Sequence, residues 1–349
     1  MGLRIIYGKP GSGKSEYCFS EIANLIKSEE KIFIITPEQF SFTAERKLMD
    51  AVDSNAVINA EVITLSRMAH RVLNEIGGTE NKNLSKCGKA MLIYSILNKY
   101  KKDLKFLGKT DENIELGIKT ITEFKKHGIT SEDLKKEIEN TTDTYLKTKL
   151  SDMTLIYEQF ENKIHDRYIE ETDMLNILAT NLEKVDFIKN SIIYIDEFSG
   201  FTQQEYEVIK KLLNIAKQVN ITICIDNLNP GINPDTDIYY SNKITLYKLI
   251  DLVNENNFKL EEPVFLNKQY RFKTTELKYL SDNFYSIKST KYAKNVDNIK
   301  LFLAKNPYSE IENVAKQISK LVRNEKLRYK DISIITKNIE TYSSLVRTI

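Results

Sequence analysis

Eight consecutive residues constrain this chain more than any others: GKPGSGKS, Gly8 to Ser15. A short apolar run, Leu3 to Tyr7, comes before them and reads as a buried strand. A helical pattern follows from about Lys14 to Lys27. The spacing G-x-x-x-x-G-K-[ST], set between strand and helix, predicts a P-loop. Glycines let the backbone curl so that successive N–H groups point inward. With the positive end of the following helix, those donors make an anion site. In this reading Gly8, Lys9, Pro10, Gly11, Ser12, Gly13, Lys14 and Ser15 hold the phosphates of ATP. Lys14 reaches the β and γ phosphates, and Ser15 is a ligand of Mg²⁺. The plainer alternative is a glycine-rich turn that only joins strand to helix.

The segments that follow repeat the same logic. Lys31–Thr36 (KIFIIT) is a second continuous apolar strand, and NAEVITL is a third, followed by the helical SRMAHRVLNEI. Continuous rather than alternating apolar strands suit a parallel sheet covered on both faces. Between them, TPEQ predicts a helix start, with Thr36 as N-cap, Pro37 in the first turn and Gln39 closing a capping box. From about Gly77 to Asn190 only helical periodicity is present, Lys/Glu on one face and Leu/Ile/Tyr on the other. Strands return at Ser191–Phe198, Asn220–Asn227 and Glu262–Asn267. A further unit follows: strand Asn298–Ala304, a helix, strand Asp331–Thr336, then a helix still running at Ile349.

The fold class expected is therefore α/β: a P-loop RecA-like parallel sheet with a large all-helical insertion, then the start of a second α/β domain. The expected divisions are 1–76 and 191–296 for the first domain, 77–190 for the insertion, and 297–349 for the beginning of the second, which suggests a fragment. A length of 349 residues allows about two or three domains. A net charge of +2 is too small to argue for any partner, so a nucleic-acid footprint must be a local patch. Cys18, Cys87 and Cys224 are scattered singly, away from His70, His127 and His165, which argues against disulfides and a zinc knuckle. No apolar run approaches membrane-spanning length and no basic leader is present, so a cytoplasmic location with no membrane contact is expected.

The second half of a P-loop site is an acidic residue ending an apolar strand, and IIYIDEF supplies it. Asp196 would hold Mg²⁺, and Glu197 would polarise an attacking water. Alternatively the two acids only mark the strand end before the helix TQQEYEVIKKLL, and for Glu197 the two readings stand level.

Several longer stretches carry a resemblance. The helical interruption between P-loop and acidic strand is similar to superfamily 1 helicases. VITLSRMAHRVLNEIGG resembles a UvrD-like segment that lies along single-stranded DNA. LNKQYRF resembles the fourth helicase motif, whose arginine, here Arg271, faces the γ phosphate. Closer still, IYGKPGSGKS, TPEQFSFTAERKL, VITLSRMAHRVL, IYIDEFSGFTQQEYEVI and NPYSEIENVAKQISKLVRNEKLRYKDISIIT occur in this order in the AddB/RexB family. AddB is the B subunit of bacterial ATP-dependent helicase/deoxyribonuclease (AddAB). The resemblance covers nearly the whole chain. It implies a polypeptide that pairs with an AddA-type helicase-nuclease and processes DNA double-strand breaks for homologous recombination. It also implies a Chi-reading site, and a C-terminal nuclease with an iron–sulfur cluster whose carboxylates and clustered cysteines are absent here.

By the same resemblance Gln39, Phe40 and Phe42 fall where the family's first DNA-facing segment lies. Arg67 and Arg71 share a helix face with His70 close by, and can contact phosphates. A solvated basic face explains Arg67, His70 and Arg71 equally well, and core packing explains Phe40 and Phe42. Two helicase features are missing: a glutamine upstream of the P-loop, and a GDxxQ-type sensor, where this chain has CIDNLNPG. Three functions follow: an ATP-binding, DNA-binding subunit that turns ATP over slowly; a self-contained DNA-stimulated motor using Glu197 and Arg271; and a scaffold with a vestigial P-loop. The missing motifs favour the first and third.

Overall fold

The apolar runs become strands because each finds a parallel neighbour and a covered face on both sides. The computed structural model describes residues 2–26, 30–52, 59–77, 82–107, 113–165, 167–170, 173–229, 235–286 and 290–349. Two compact units are present, Met1–Arg271 and Phe272–Ile349.

In the first unit β1 (Gly2–Gly8), β2 (Ile32–Ile35) and β3 (Ala60–Ile63) alternate with α1 (Lys14–Leu25), α2 (Ser41–Val52) and α3 (Leu65–Glu75). A helical stretch follows. It holds α4 (Lys86–Lys99), α5 (Asn113–Lys126), α6 (Ser131–Asn140), α7 (Thr144–Ile164) and α8 (Met174–Asn181), with two short strands, β4 (Lys82–Asn83) and β5 (Tyr168–Ile169). The sheet resumes with β6 (Ile192–Ile195), α9 (Gln203–Ile215), β7 (Gln218–Cys224), α10 (Tyr240–Glu255), β8 (Lys259–Leu260) and β9 (Val264–Phe265). The main sheet has seven strands in the order β3-β2-β6-β7-β1-β8, with β9 also beside β1, and these pairings are parallel.

Side chains along the strands divide between two cores with period two. Leu3, Ile5, Phe33, Ile35, Ile193 and Ile195 face α3, α8, α9 and α10. Ile6, Ile32, Ile34, Ile192 and Tyr194 face α1 and α2. Both faces are therefore apolar, which explains the unbroken hydrophobic runs. The insertion has its own core, built from Ile93, Ile96, Ile121, Met153, Ile156 and Phe160 on α4, α5 and α7. Two features of this stretch depart from the helical expectation. β4 and β5 form a small parallel pair. In addition, Met174 and Leu178 of α8 pack into the sheet core rather than the insertion core.

The TPEQ start also differs. Pro37, not Thr36, precedes a 3₁₀ turn over Glu38–Phe40 that leads into α2, and no side chain caps that turn. Gln39 therefore closes no capping box. The Thr36 hydroxyl is buried without a hydrogen-bond partner. The neighbouring Glu38 carboxylate instead accepts from the Thr64 hydroxyl at 2.7 Å, tying this turn to the cap of α3.

The second unit contains α11 (Thr275–Asn283), α12 (Pro307–Asn324) and α13 (Ile339–Thr348). The strands expected at Asn298–Ala304 and Asp331–Thr336 are not formed. No strand among the described residues of this unit offers a ladder partner, and an extended run without one leaves its N–H and C=O groups to water. Asn298 is held instead by the Glu276 carboxylate, which accepts from its backbone N–H and its side-chain amide, both at 2.8 Å. Leu301 and Leu303 are almost wholly exposed. Among the described residues no helix is long and apolar enough to cross a membrane.

In the insertion, the Tyr157 hydroxyl donates to the Ile129 carbonyl at 3.2 Å. Burial, reinforced by Glu161, pushes this phenol up to about 12. A raised folded-state value gives a contribution that is whole below pH 10, the ordinary tyrosine value, and is lost as pH rises towards 12. Urea unfolding followed from pH 9 to 12 should show steeper alkaline destabilisation in the wild type than in Tyr157→Phe. Parallel curves would exclude Tyr157 as the source.

Candidate nucleotide site

β1 ends at Gly8, and the chain turns through Lys9–Gly13 into α1. Gly11 (φ 82°) and Gly13 (φ 83°) lie in the left-handed region, where a side chain costs about 1–2 kcal/mol. Space is also limiting. A Cβ on Gly11 would meet the Gln269 side-chain oxygen and lie 2.6 Å from Arg271 Cβ. One on Gly8 would meet the Leu266 carbonyl oxygen and sit 2.5 Å from Ser12 Oγ.

What crowds the loop is the segment after β9. Leu266 N–H donates to the Tyr7 carbonyl at 2.8 Å, Gln269 Nε2 to the Pro10 carbonyl at 2.8 Å, and Tyr270 N–H to the Gly11 carbonyl at 2.9 Å. Residues more than 250 positions away therefore set the loop's outer wall. This places Arg271 in the same cleft as the P-loop. Gln269 and Tyr270 are loop contacts that sequence reasoning misses, although they stand directly before Arg271.

The cleft encloses about 550 Å³ and is lined by Gly13, Lys14, Ser15, Asp196, Glu197 and Arg271, among others. Lys14 Nζ donates to the Gly8 carbonyl at 3.0 Å and the Lys9 carbonyl at 3.2 Å, so the ammonium spans the loop's mouth. Ser12 Oγ is buried and has no hydrogen-bond partner. It lies against Gly8, behind the loop, and is not among the residues that line the cleft. The glycine cradle, the spanning lysine and Arg271 on the same cleft fit a phosphate group.

Asp196 and Glu197 follow β6, which is separated from β1 by β7. Parallel strands bring their C-terminal ends to one side, so the two motifs meet across that strand. Asp196 is buried, and its Oδ1 accepts from the Thr222 hydroxyl of β7 at 2.5 Å. Sequence reasoning misses Thr222 too, and its one signal is a polar residue alternating with apolar ones near the end of the strand, as Asn220 does before it. Glu197 accepts from Ser15 Oγ at 3.0 Å. Hard oxygens of Ser15 and Asp196 suit Mg²⁺, which binds through few protein groups and keeps phosphate and water oxygens as further ligands. Among the described residues no group of three or more His, Cys, Asp or Glu is arranged to hold a metal ion. Burial pushes the Cys224 thiol up, against the pull of Lys14 and Arg271, and Cys18 is raised well up by burial and Asp196. Both thiols stay protonated at neutral pH and are poor ligands or nucleophiles.

The suggested DNA residues lie apart from this cleft or beside it. Phe40 lines a small pocket with Ser15, Asp196 and Glu197. Gln39 shares its 3₁₀ turn. Phe42 is 76% exposed and is not a core residue. On α3, Arg67 pairs with Glu45 at 3.2 Å, while Arg71 pairs with Glu61 at 2.6 Å and lies over the Phe187 ring. His70 is exposed beside them. Each arginine thus already has a carboxylate partner.

A parallel sheet between helices, with a glycine turn at one strand end and an acidic residue at another, defines a P-loop α/β protein of RecA-like type. The chain belongs to the AddB family: a family model described as "ADDB, N-terminal" matches residues 5–281. It is 41% identical over 361 residues to the B subunit of ATP-dependent helicase/deoxyribonuclease from Clostridium tetani. To the proteins of the same name from Clostridium novyi and Thermoanaerobacter pseudethanolicus it is 37% identical over 358 and 357 residues. Each match covers 100% of this chain and 31% of the relative, so the chain spans about a third of their length.

Gly11→Ala should destabilise the chain by more than Gly77→Ala in urea unfolding. Both glycines have positive φ, but nothing lies within 4 Å of the Gly77 position, so only Gly11 adds the clash with Gln269 and Arg271. Equal losses would mean that backbone strain alone is at work.

Proposed function

We propose that this chain is the N-terminal part of the B subunit of an AddAB-type helicase-nuclease and that its P-loop cleft binds ATP–Mg²⁺. The cradle of Gly8 to Ser15, with Gly11 and Gly13 in the left-handed region and Lys14 spanning its mouth, carries this reading. Lys14 would leave the Gly8 and Lys9 carbonyls to meet the β and γ phosphates. The loop N–H groups would donate to their oxygens, and Arg271 would face the terminal phosphate from the opposite wall. Ser15 and Asp196 would hold Mg²⁺, which neutralises phosphate charge when bound.

Slow turnover is expected rather than a motor cycle. After β7 the chain carries CIDNLNPG, without the glutamine of a GDxxQ-type sensor, and its Asp226 carboxylate pairs with Lys243 of α10 at 3.2 Å. Lys243 also pairs with Asp237 at 2.7 Å. The glutamine that would report on a phosphate is therefore lacking from this stretch. A motor remains the second reading because Glu197 and Arg271 both line the cleft.

The partner in this proposal is an AddA-type helicase-nuclease, the substrate is broken duplex DNA and its single strands, and the setting is the cytoplasm. Gln39, Phe40, Arg67, His70 and Arg71 are the proposed DNA contacts. Phosphates there must displace Glu45 and Glu61 from the two arginines. The nuclease and its iron–sulfur cluster are assigned to the two-thirds of the relatives' length that this chain does not cover. The division into 1–76 with 191–296, 77–190 and 297–349 is kept as a proposal for how the work is shared.

Calorimetry with ATP–Mg²⁺ should show binding by the wild-type chain and at least about a tenfold loss in Lys14→Ala, since a phosphate-facing ammonium is removed. ATPase should be slow with or without single-stranded DNA. Brisk DNA-stimulated hydrolysis would establish the motor, and no binding in either protein would leave a scaffold with a relic turn.

A further inference from the structure

Two acids stand in series after β6, and the structure gives them different tasks. Asp196 is still in register with the sheet, its N–H donating to the Ile35 carbonyl at 3.0 Å. Its side chain is buried and its Oδ1 is taken by Thr222. The ladder ends at the next residue. Glu197 has φ 66°, a left-handed conformation that a non-glycine residue seldom adopts. Such outliers gather at functional sites, where surrounding structure holds them in place. Here the bend carries the Glu197 carboxylate to the Ser15 hydroxyl, 182 residues earlier, at 3.0 Å.

A hydroxyl has one proton and two lone pairs. With its proton committed to Glu197, Ser15 Oγ keeps its lone pairs for a cation. We propose that Glu197 is a positioning residue for the nucleotide's metal: it orients Ser15 as a Mg²⁺ ligand, rather than serving as the base that activates water. This rests on the nucleotide-site reading above. Of the two acids, Asp196 is bound by Thr222 and Glu197 by Ser15, so the Ser15–Glu197 pair and Asp196 approach the metal position as two separately anchored oxygen donors. The arrangement predicts tight, metal-dependent holding of ATP, with no carboxylate left over to act on water.

The pair can be separated from a general charge effect. Binding of a fluorescent ATP analogue (mant-ATP) to the full chain is titrated with and without Mg²⁺. The variants are Ser15→Ala, Glu197→Ala, Glu197→Gln and the double Ser15→Ala/Glu197→Ala. The expected result is that each alanine variant loses about tenfold of the Mg²⁺-dependent gain in affinity, the lower range for a hydrogen bond to a charged group. The gain is read for each variant as the ratio of its Mg²⁺-bound to its own metal-free affinity. The double variant loses no more than either single one, the signature of groups acting as a pair. Glu197→Gln keeps an acceptor oxygen and retains most of the gain. The proposal is overturned if Glu197→Ala leaves the Mg²⁺ dependence intact, or if the double variant shows the summed loss. If the wild type binds no mant-ATP with or without Mg²⁺, the nucleotide-site reading itself fails, and this inference with it.

Discussion

The sheet must be buried on both faces, and most of the first unit follows from that requirement. Six parallel pairings leave no hydrophilic side for water, so each strand sends alternate residues into two separate cores. Parallel strands also need crossovers, and the crossovers supply the helices that cover those cores. The same geometry brings the C-terminal ends of β1, β6 and β7 together. The glycine loop, Asp196 and Thr222 therefore share one cleft because of sheet order, not because of nearness in sequence.

Polar groups beneath α1 hold the P-loop helix at its angle to the sheet. Glu21 accepts from Tyr17 at 2.8 Å and Tyr194 at 3.1 Å, and forms an ion pair with Arg4. Arg4 Nε also donates to Asn220 Oδ1 at 2.8 Å, and Asn220 in turn donates to the Ile193 carbonyl. One carboxylate on α1 is thereby bound to β1 and β6, and through Arg4 to β7. Groups of this kind cost stability if half-satisfied and confer register when complete. The helical insertion uses a similar device. Glu170 receives Lys89 at 2.7 Å and also binds Lys125, which Asp173 engages at 3.0 Å. Burial pulls the Lys125 ammonium down, yet Asp173 and Glu170 together hold it above its ordinary value. Removing one member would strand a buried charge.

Much of this is legible in the sequence because it rests on local signals. The P-loop spacing, the apolar strand runs and the helical period of the insertion each specify themselves within about ten to twenty residues. Where local signals mislead, a distant partner decides. TPEQ carries a capping-box pattern, but Glu38 is drawn to Thr64 and the helix begins later, at Ser41. The run at Asn298–Ala304 has strand composition and lacks a strand beside it. Met174 and Leu178 show the period of an insertion helix and instead seal the sheet.

Sequence alone determined the class of fold, the glycine cradle, and which acids end β6, since these depend on residue type at fixed short spacing. Tertiary structure alone decided that Gln269 and Tyr270 wall the loop, that Thr222 engages Asp196, and that Glu197 rather than Asp196 receives Ser15. Those pairings join residues 26 to 259 positions apart. No local pattern encodes such distances. They come from strand order and from one left-handed residue at a strand end, which are properties of the packed chain.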